Sequence, residues 1–138
     1  MNFISPLANL REGCFIDDET IIGPFVQMEK NVRVGKRCTI QPFSIFGVDT
    51  YIGDDVFIGP HFSHADCKSV PYGPHGLSPD KGKHNAWPIT IQSGTIIGTR
   101  CTVAPGVLIG WDCRIDMNCN IYKDVPQGTY IKSGTDYR

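Results

Sequence analysis

Apolar residues recur at every sixth position along almost the whole chain. Beginning at Ile4, the series reaches Ile58 in steps of six; it resumes at Ile91 and continues to Ile121. All sixteen positions sampled in this way are apolar, although only 41% of the chain is. Strands repeat every two residues and helices every 3.6, so neither element alone gives a period of six. The period predicts a parallel β-helix, in which each hexapeptide forms one short strand and one corner.

The positions around each apolar residue refine this prediction. Two residues earlier the side chain is small or slender, and one residue later it is often Gly; examples are Cys14, Thr20, Cys38, Ser44, Thr95, Cys101, Cys113 and Cys119, and Gly23, Gly35, Gly53, Gly59, Gly98 and Gly110. We expect the large residues to fill the corners of the coil and the small ones its flat faces. We expect the glycines to supply the left-handed backbone that a sharp corner needs.

A longer period of eighteen residues lies on top of the first. Four prolines lie eighteen residues apart, and an apolar residue follows all but the last. The pairs are Pro6-Leu7, Pro24-Phe25, Pro42-Phe43 and Pro60-His61. Three hexapeptides per coil predict a triangular all-β helix of about five stacked coils, in one domain over residues 1–138. His61 continues the column of Leu7, Phe25 and Phe43, so we expect it to pack there.

The period is interrupted by an insertion over about residues 62–88. The series would next reach residue 64 after Ile58, and we expect Ile91 to take that delayed position. Ile91 should then stack on Phe46, and Val103 on Ile58. Long loops in compact domains are often functional. Because this one is rich in Pro and Gly, we expect no regular structure in it. It carries three of the four histidines, so any chemistry is expected here.

Composition excludes several classes of function. The net charge is −1, with no block of basic residues for binding nucleic acid or a membrane. The first residues show no signal peptide and no membrane span, which predicts a cytoplasmic protein. Five of the six cysteines occupy the small inward position and are interpreted as buried packing residues, with Cys67 in the insertion as a free thiol. Because closely spaced Cys or His ligand pairs of the kind found in zinc sites are missing, we expect no metal.

Three segments resemble the hexapeptide-repeat acyltransferases, in particular the galactoside, maltose and nucleotide-amino-sugar acetyltransferases. They are IGDDVFIGPHFSHAD (52–66), PITIQSGTIIGTRCTVAPGVLIG (88–110) and Lys-Asp-Val-Pro (123–126). The resemblance implies a left-handed β-helix that uses acetyl-CoA as co-substrate. It also implies acetyl transfer to an amino or hydroxyl group of a sugar or nucleotide-linked sugar. A homotrimer with active sites between its subunits is implied as well. The chain departs from the family at its end, SGTDYR, and at Ala65-Asp66-Cys67, where the sugar N-acetyltransferases carry Thr-Asn-Asp.

The candidate catalytic residues lie in the insertion. Acyl transfer from a thioester requires the attacking group to lose a proton, and histidine has a suitable pKa for a general base. His75 matches the galactoside-type loop, whereas His64 and Asp66 match the sugar N-acetyltransferase stretch.

For the coenzyme, backbone N–H groups near Gly98 and Thr99 are candidates for stabilising the oxyanion. Ala104 lies in the segment that resembles the family, and Lys123 is a candidate phosphate contact. Two alternatives remain open: a zinc protein resembling the γ-class carbonic anhydrases, and a β-helix that acts only as an assembly module.

Overall fold

The computed structural model describes residues 1–65 and 87–138, together with the backbone of two strands between them. Every strand has two residues. In chain order they are β1 (Phe3–Ile4), β2 (Asn9–Leu10), β3 (Phe15–Ile16), β4 (Ile21–Ile22), β5 (Gln27–Met28), β6 (Arg33–Val34), β7 (Thr39–Ile40), β8 (Ile45–Phe46), β9 (Tyr51–Ile52), β10 (Phe57–Ile58), β11 (Ser63–His64), β12 (Tyr72–Gly73), β13 (Gly76–Leu77), β14 (Thr90–Ile91), β15 (Ile96–Ile97), β16 (Thr102–Val103), β17 (Leu108–Ile109), β18 (Arg114–Ile115), β19 (Asn120–Ile121), β20 (Tyr130–Ile131) and β21 (Asp136–Tyr137).

The strands form three parallel sheets along a triangular solenoid. Sheet 1 has the order β1-β4-β7-β10-β15-β18-β20, sheet 2 the order β2-β5-β8-β11-β16-β19-β21, and sheet 3 the order β17-β14-β9-β6-β3. Neighbouring coils are in register at eighteen residues, as in the pairing of Ile22 with Ile40. The predicted left-handed parallel β-helix is confirmed, with about six turns instead of five. The additional strands are β20 and β21, beyond the last apolar position that the six-residue series reached.

The predicted stacking after the insertion is wrong. Ile91 pairs with Ile52 in sheet 3, and Val103 pairs with His64 in sheet 2. His64 therefore completes a strand of its own before the chain leaves the coil. Ile91 takes the place that residue 70 would have in an uninterrupted coil, so the insertion is one hexapeptide shorter than predicted. The expectation of no regular structure there is also wrong, since β12 and β13 pair antiparallel.

The interior confirms the structural interpretation of the five cysteines in the repeat. Inward hydroxyls and thiols donate to backbone carbonyls of the next coil: Thr20 to Gly35 (2.7 Å), Cys38 to Gly53 (3.0 Å), Thr95 to Gly110 (2.9 Å) and Cys101 to Asp116 (3.1 Å). Four of the five thiols are buried, Cys14 is half-buried, and all five are free. Burial raises the pKa of the Cys101 thiol to about 11, which makes it a poor nucleophile at neutral pH.

The corners are built differently from the prediction. Large residues such as Ile22 lie within the strands, and the chain turns two to three residues later. The left-handed residues at these turns include Phe25 (φ 60°), Phe43 (φ 65°) and His61 (φ 62°). Glycines that directly follow a strand are needed for a different reason: a Cβ on Gly98 would lie 2.7 Å from the backbone nitrogen of Met117. They allow adjacent coils to approach closely.

Candidate functional site

The insertion leaves the β-helix at one corner, which we call the loop corner. The chain passes from β11 in sheet 2 to β14 in sheet 3, and residues 66–86 belong to the insertion. The predicted start at residue 62 therefore moves to residue 66. The candidate residues His75 and Asp66 lie outside the described residues, as do His84 and Cys67. Of the candidate catalytic residues, the described structure thus places only His64.

His64 occupies a buried position that is apolar in the neighbouring coils. It follows Phe46 and precedes Val103 in sheet 2, and only 7% of its surface is exposed. The backbone N–H of Gly47 donates to His64 Nδ1 (3.0 Å), and Thr50 Oγ1 lies 3.3 Å from the same nitrogen. The Thr50 hydroxyl donates to the Gly47 carbonyl (2.8 Å). A backbone donor has no alternative role, so Nδ1 is an acceptor and the proton of the neutral ring lies on Nε2. His64 therefore presents a donor rather than a vacant acceptor nitrogen.

Trp87 closes the loop corner where the insertion returns. The N–H of Gly106 donates to the Trp87 carbonyl (3.0 Å). Gly106 has φ +79°, and a Cβ there would lie 3.4 Å from Trp87 Cε3. The indole is 45% exposed. The indole therefore lies against Gly106 and leaves part of its apolar surface exposed at this corner.

The predicted coenzyme residues fall on two different corners. Ala104 and Lys123 directly follow or lie near the ends of sheet 2 strands, at the loop corner. Gly98 and Thr99 follow a sheet 1 strand, at the corner between sheets 1 and 2. The N–H of Gly98 donates to the Ile115 carbonyl and that of Ala104 to the Ile121 carbonyl, both at 2.8 Å. These two N–H groups are therefore already engaged in the solenoid and are not aimed at a ligand.

Cations and tyrosines meet at the loop corner of the last coils. Lys123 Nζ lies 5.0 Å from the centre of the Tyr137 ring, and the Arg138 guanidinium lies 4.1 Å from that of Tyr122. The side chains approach because Asn120–Ile121 pairs with Asp136–Tyr137 in the last coil. This gives the corner two exposed positive charges.

The corner between sheets 1 and 2 carries a stack of rings, which we call the aromatic corner. Phe25 and Phe43 stack with their ring centres 5.2 Å apart, and Phe43 and His61 stack at 5.1 Å. Leu7 lies in the same column, since the N–H of Phe25 donates to its carbonyl. The expected packing role of His61 is confirmed.

The three outer faces differ in polarity. The outward side chains are mainly apolar on sheets 1 and 3 and mainly polar on sheet 2; they are Phe3, Ile21, Thr39, Phe57, Ile96, Arg114 and Tyr130 on sheet 1, Phe15, Arg33, Tyr51, Thr90 and Leu108 on sheet 3, and Asn9, Gln27, Ile45, Ser63, Thr102, Asn120 and Asp136 on sheet 2. Asn9 donates to Gln27 at 2.8 Å on that polar face. Contiguous exposed apolar faces typically mark interfaces.

Among residues 1–65 and 87–138, no three His, Cys, Asp or Glu side chains are grouped so as to hold a metal ion. The described part of the chain also contains no helix long and apolar enough to cross a membrane.

Comparison with known proteins finds a matching family model and several related sequences. Residues 88–123 match the family described as "Hexapeptide repeat of succinyl-transferase". The "Bifunctional protein GlmU" of Heliobacterium modesticaldum is 30% identical over 125 residues, covering 91% of this chain and 24% of the relative. That of Thermotoga petrophila is 31% identical over 123 residues, covering 89% and 24%. The chain thus spans about a quarter of the length of the curated relatives that it matches.

Solved structures share the fold. A mutant GDP-perosamine N-acetyltransferase from Caulobacter crescentus, in complex with CoA and GDP-perosamine, has a TM-score of 0.73 at 17% identity; 94% of this chain and 51% of that one are covered. A hexapeptide-repeat acetyltransferase from Vibrio cholerae, complexed with acetyl coenzyme A, has a TM-score of 0.70 at 23% identity, covering 86% and 64%. With the period of six and the three parallel sheets, these matches show that residues 88–123 carry the hexapeptide repeat and that the chain shares the β-helix fold of these acetyltransferases.

Proposed function

We propose that this protein is an acetyl-CoA-dependent acetyltransferase whose acceptor is an amino or hydroxyl group of a sugar or nucleotide-linked sugar. The observation that carries the proposal is the loop corner. A regular hexapeptide solenoid is interrupted there by residues 66–86, which include His75 and His84, and Trp87 and Lys123 lie at the same corner. A β-helix that served only as a scaffold would need no such interruption.

The reaction requires few groups from the protein. The acceptor nitrogen or oxygen attacks the thioester carbonyl, the bond from carbon to sulfur breaks, and the coenzyme leaves as a thiolate that takes up the proton. A hydroxyl acceptor needs a base, because it is hardly ionised at neutral pH. His75 is our candidate for that base. In His64 the nitrogen able to accept a proton is already bonded to the Gly47 N–H. We assign His64 the role of anchoring the start of the insertion, with Asp66 orienting an amino acceptor.

We further propose a cytoplasmic homotrimer with active sites between its subunits. Support comes from the apolar outer faces of sheets 1 and 3. A cyclic trimer uses two different surfaces of each subunit, one for each neighbour, and leaves the third exposed. Sheets 1 and 3 provide two apolar surfaces and sheet 2 a polar one. The loop corner lies at the edge of sheet 3, so the insertion would reach the adjoining subunit.

The coenzyme is proposed to bind at the loop corner. Trp87 offers an apolar wall for the pantetheine arm, and Lys123 and Arg138 offer positive charge for phosphates. Gly98 and Thr99 stay candidates only for a coenzyme that extends to the aromatic corner.

The test combines binding with turnover. Acetyl-CoA is titrated calorimetrically, and free thiol release is followed with matched hydroxyl and amino sugars, both free and nucleotide-linked. We expect binding, and turnover with at least one acceptor. Replacing residues 66–86 with a short turn should leave the β-sheet circular dichroism signal intact and abolish turnover. A shortened variant that retained full activity would move the site away from the loop corner.

Variants separate the two possible acceptors. With a hydroxyl acceptor, His75→Ala should reduce kcat by about 10²–10⁴, the usual loss for a missing general base. With an amine that is already neutral, His75→Ala should be mild and Asp66→Ala should mainly raise KM. Wild-type kinetics in both variants would exclude these residues from the reaction.

A further inference from the structure

The outer face of sheet 3 contains a cavity of about 190 Å³ on the first three coils, away from the insertion. It is lined by Phe15, Asp17, Arg33, Val34, Gly35, Tyr51 and Asp54. Phe15 pairs with Arg33 and Arg33 with Tyr51, so the three side chains project from adjacent strands on the same face. Strands in a sheet are about 4.8 Å apart, which places the guanidinium-bearing chain between two aromatic ones.

Four cationic side chains of the described residues pair with a carboxylate, and Arg33 is not one of them. Arg11, Lys30, Arg37 and Arg114 each pair with a carboxylate within 4 Å; their partners are Glu29, Glu12, Asp55 and Asp116. Within the described residues Arg33 forms no ion pair, although two carboxylates line the same cavity. A guanidinium presents five N–H donors and normally takes an acceptor. Arg33 is exposed to solvent, so its guanidinium is available to donate to a bound ligand.

The two carboxylates are fixed and each has an oxygen to spare. Asp17 Oδ1 accepts from the Asp18 N–H and Asp54 Oδ1 from the Lys36 N–H, both at 2.8 Å. In the described structure neither Oδ2 atom has a hydrogen-bond partner. Both side chains are half-buried. The cavity thus offers acceptors at two edges as well as donors on Arg33.

Gly35 keeps the floor of the cavity open. A Cβ at this position would lie 2.3 Å from Asp54 Oδ1 and 2.6 Å from the carbonyl group of Gly53. No larger residue fits without moving backbone of the next coil. The depression is therefore built into the stacking of the coils and does not depend on a particular side-chain rotamer.

We propose that this cavity binds the guanine base of a nucleotide-linked acceptor, held between the subunit that supplies the cavity and the neighbour that packs on sheet 3; the inference rests on the proposed function, including its active sites between subunits. Guanine presents O6 and N7 as acceptors, the pair that arginine recognises with two hydrogen bonds. Its N1–H and amino group are donors for the two carboxylates. Phe15 and Tyr51 offer apolar ring surfaces against which a planar base stacks. Uracil and thymine carry a single N–H donor at the base edge and would leave one carboxylate unmatched.

The test measures nucleotide binding separately from acetyl transfer. GDP, UDP, dTDP and ADP are titrated calorimetrically into the full chain, without acetyl-CoA. We expect GDP to bind at least about tenfold more tightly than the others. Arg33→Gln should weaken GDP binding about 10- to 100-fold, the range for one bidentate contact to guanine. Asp54→Asn keeps the acceptor for Lys36 and should weaken GDP binding less. Acetyl-CoA affinity should be unchanged in both.

The matched control is Arg100→Gln, since Arg100 is an exposed arginine without an ion pair in the described residues but lies at the aromatic corner. It should leave GDP binding unchanged. The inference is overturned if GDP does not bind, or if Arg33→Gln binds it as the wild type does. It is also overturned if the only effect of Arg33→Gln is a change of molar mass in light scattering, because Arg33 would then be an interface residue. Acetyl transfer to sugars without guanine preference would overturn the inference and leave the proposed function standing. GDP binding through Arg33 without acetyl-CoA binding would overturn the proposed function and leave the guanine site standing.

Discussion

Gly110 and Gly128 lie one coil apart at the corner between sheets 3 and 1, and they should respond differently to substitution. A Cβ on Gly110 would lie 2.7 Å from the nitrogen of Gln127, and 3.0 Å from both its Cα and the Val125 carbonyl oxygen. All three atoms are backbone. A carbon atom needs about 3.5 Å from such neighbours, so Gly110→Ala must push the coils apart by about 0.5–0.8 Å.

The expected free-energy change follows from that separation. Overpacking of a dense interior costs about 1–3 kcal/mol. The hydrogen bond from the Gly110 N–H to the Val125 carbonyl, now 2.8 Å, would lengthen and lose most of about 1 kcal/mol. Gly110→Ala should therefore lower the free energy of unfolding by about 2–4 kcal/mol.

Gly128 serves as the matched control because only its backbone conformation requires glycine. Its φ is +72°, and a Cβ there would meet no atom within 4 Å. The left-handed conformation costs an ordinary residue about 1–2 kcal/mol, partly offset by the lower entropy of the unfolded chain. Gly128→Ala should cost about 1 kcal/mol. Gly128→Asn should cost less, since Asn31 and Asn118 adopt this conformation at equivalent turns.

Urea unfolding followed by circular dichroism measures both variants at equal protein concentration. We expect a clear order, with the stability of Gly110→Ala well below that of Gly128→Ala. Equal losses at the two positions would refute the contribution of coil packing, because close approach between coils would then add nothing to the conformational requirement.

Three further predictions concern chemistry and assembly. Iodoacetamide at pH 8 should leave Cys101 unmodified in the native protein and modify it in urea, since burial raises the pKa of this thiol to about 11. Peptide mass spectrometry detects the modification, and rapid labelling of the native protein would contradict the burial of this thiol. Arg37 lowers the pKa of Asp55, so the pair stabilises the fold above the ordinary aspartate pKa and loses its effect as the pH falls through the lower pKa of the folded state. The difference in urea midpoint between wild type and Arg37→Gln should therefore vanish in acid. A difference that stayed constant with pH would exclude the ion pair. Ile21→Glu on sheet 1 should reduce the trimer to monomers in light scattering, whereas Thr102→Glu on the polar sheet 2 should not. A monomeric wild type would refute the trimer.

The repeat was readable from sequence because every coil places the same kind of residue in the same environment. The prediction ended too early because the last coil is shorter. Ile115 pairs with Ile131 and Ile121 with Tyr137, both sixteen residues apart instead of eighteen. An isolated bridge between Ile109 and Val125 replaces a sheet 3 strand there. A strict step of six from Ile121 therefore meets Gln127 and stops.

The stacking after the insertion could not be obtained from the period. Pairing Ile91 with Phe46 and pairing it with Ile52 require insertions that differ in length by one hexapeptide, so both keep the apolar series in phase. The choice depended on whether residue 64 forms a strand, and a histidine at an apolar position concealed it. His64 can occupy that position because Gly47 satisfies its Nδ1 inside the coil. Only the three-dimensional contacts show such a partner.

The sequence indicates where the candidate site lies, but not which side chains meet there. A break in a regular repeat identifies the loop corner without any structure. The approach of Trp87 to Gly106 and of Lys123 to Tyr137 depends on which coils stack, and the cavity around Arg33 depends on residues eighteen apart that carry no motif. The sequence also did not show that Gly98 allows the close approach of the next coil at Met117.

Transfer of a labelled acetyl group decides whether the loop corner is catalytic. The purified protein is incubated with acetyl-CoA carrying carbon-13 in its acetyl group and with the panel of free and nucleotide-linked amino and hydroxyl sugars, and the products are weighed by mass spectrometry. We expect one acceptor class to gain the labelled acetyl group, and the gain to be lost when residues 66–86 are replaced by a short turn. Acetyl-CoA that stays intact with every acceptor would refute the proposed acetyltransferase, and labelling that is unchanged without the insertion would refute the loop corner as its site.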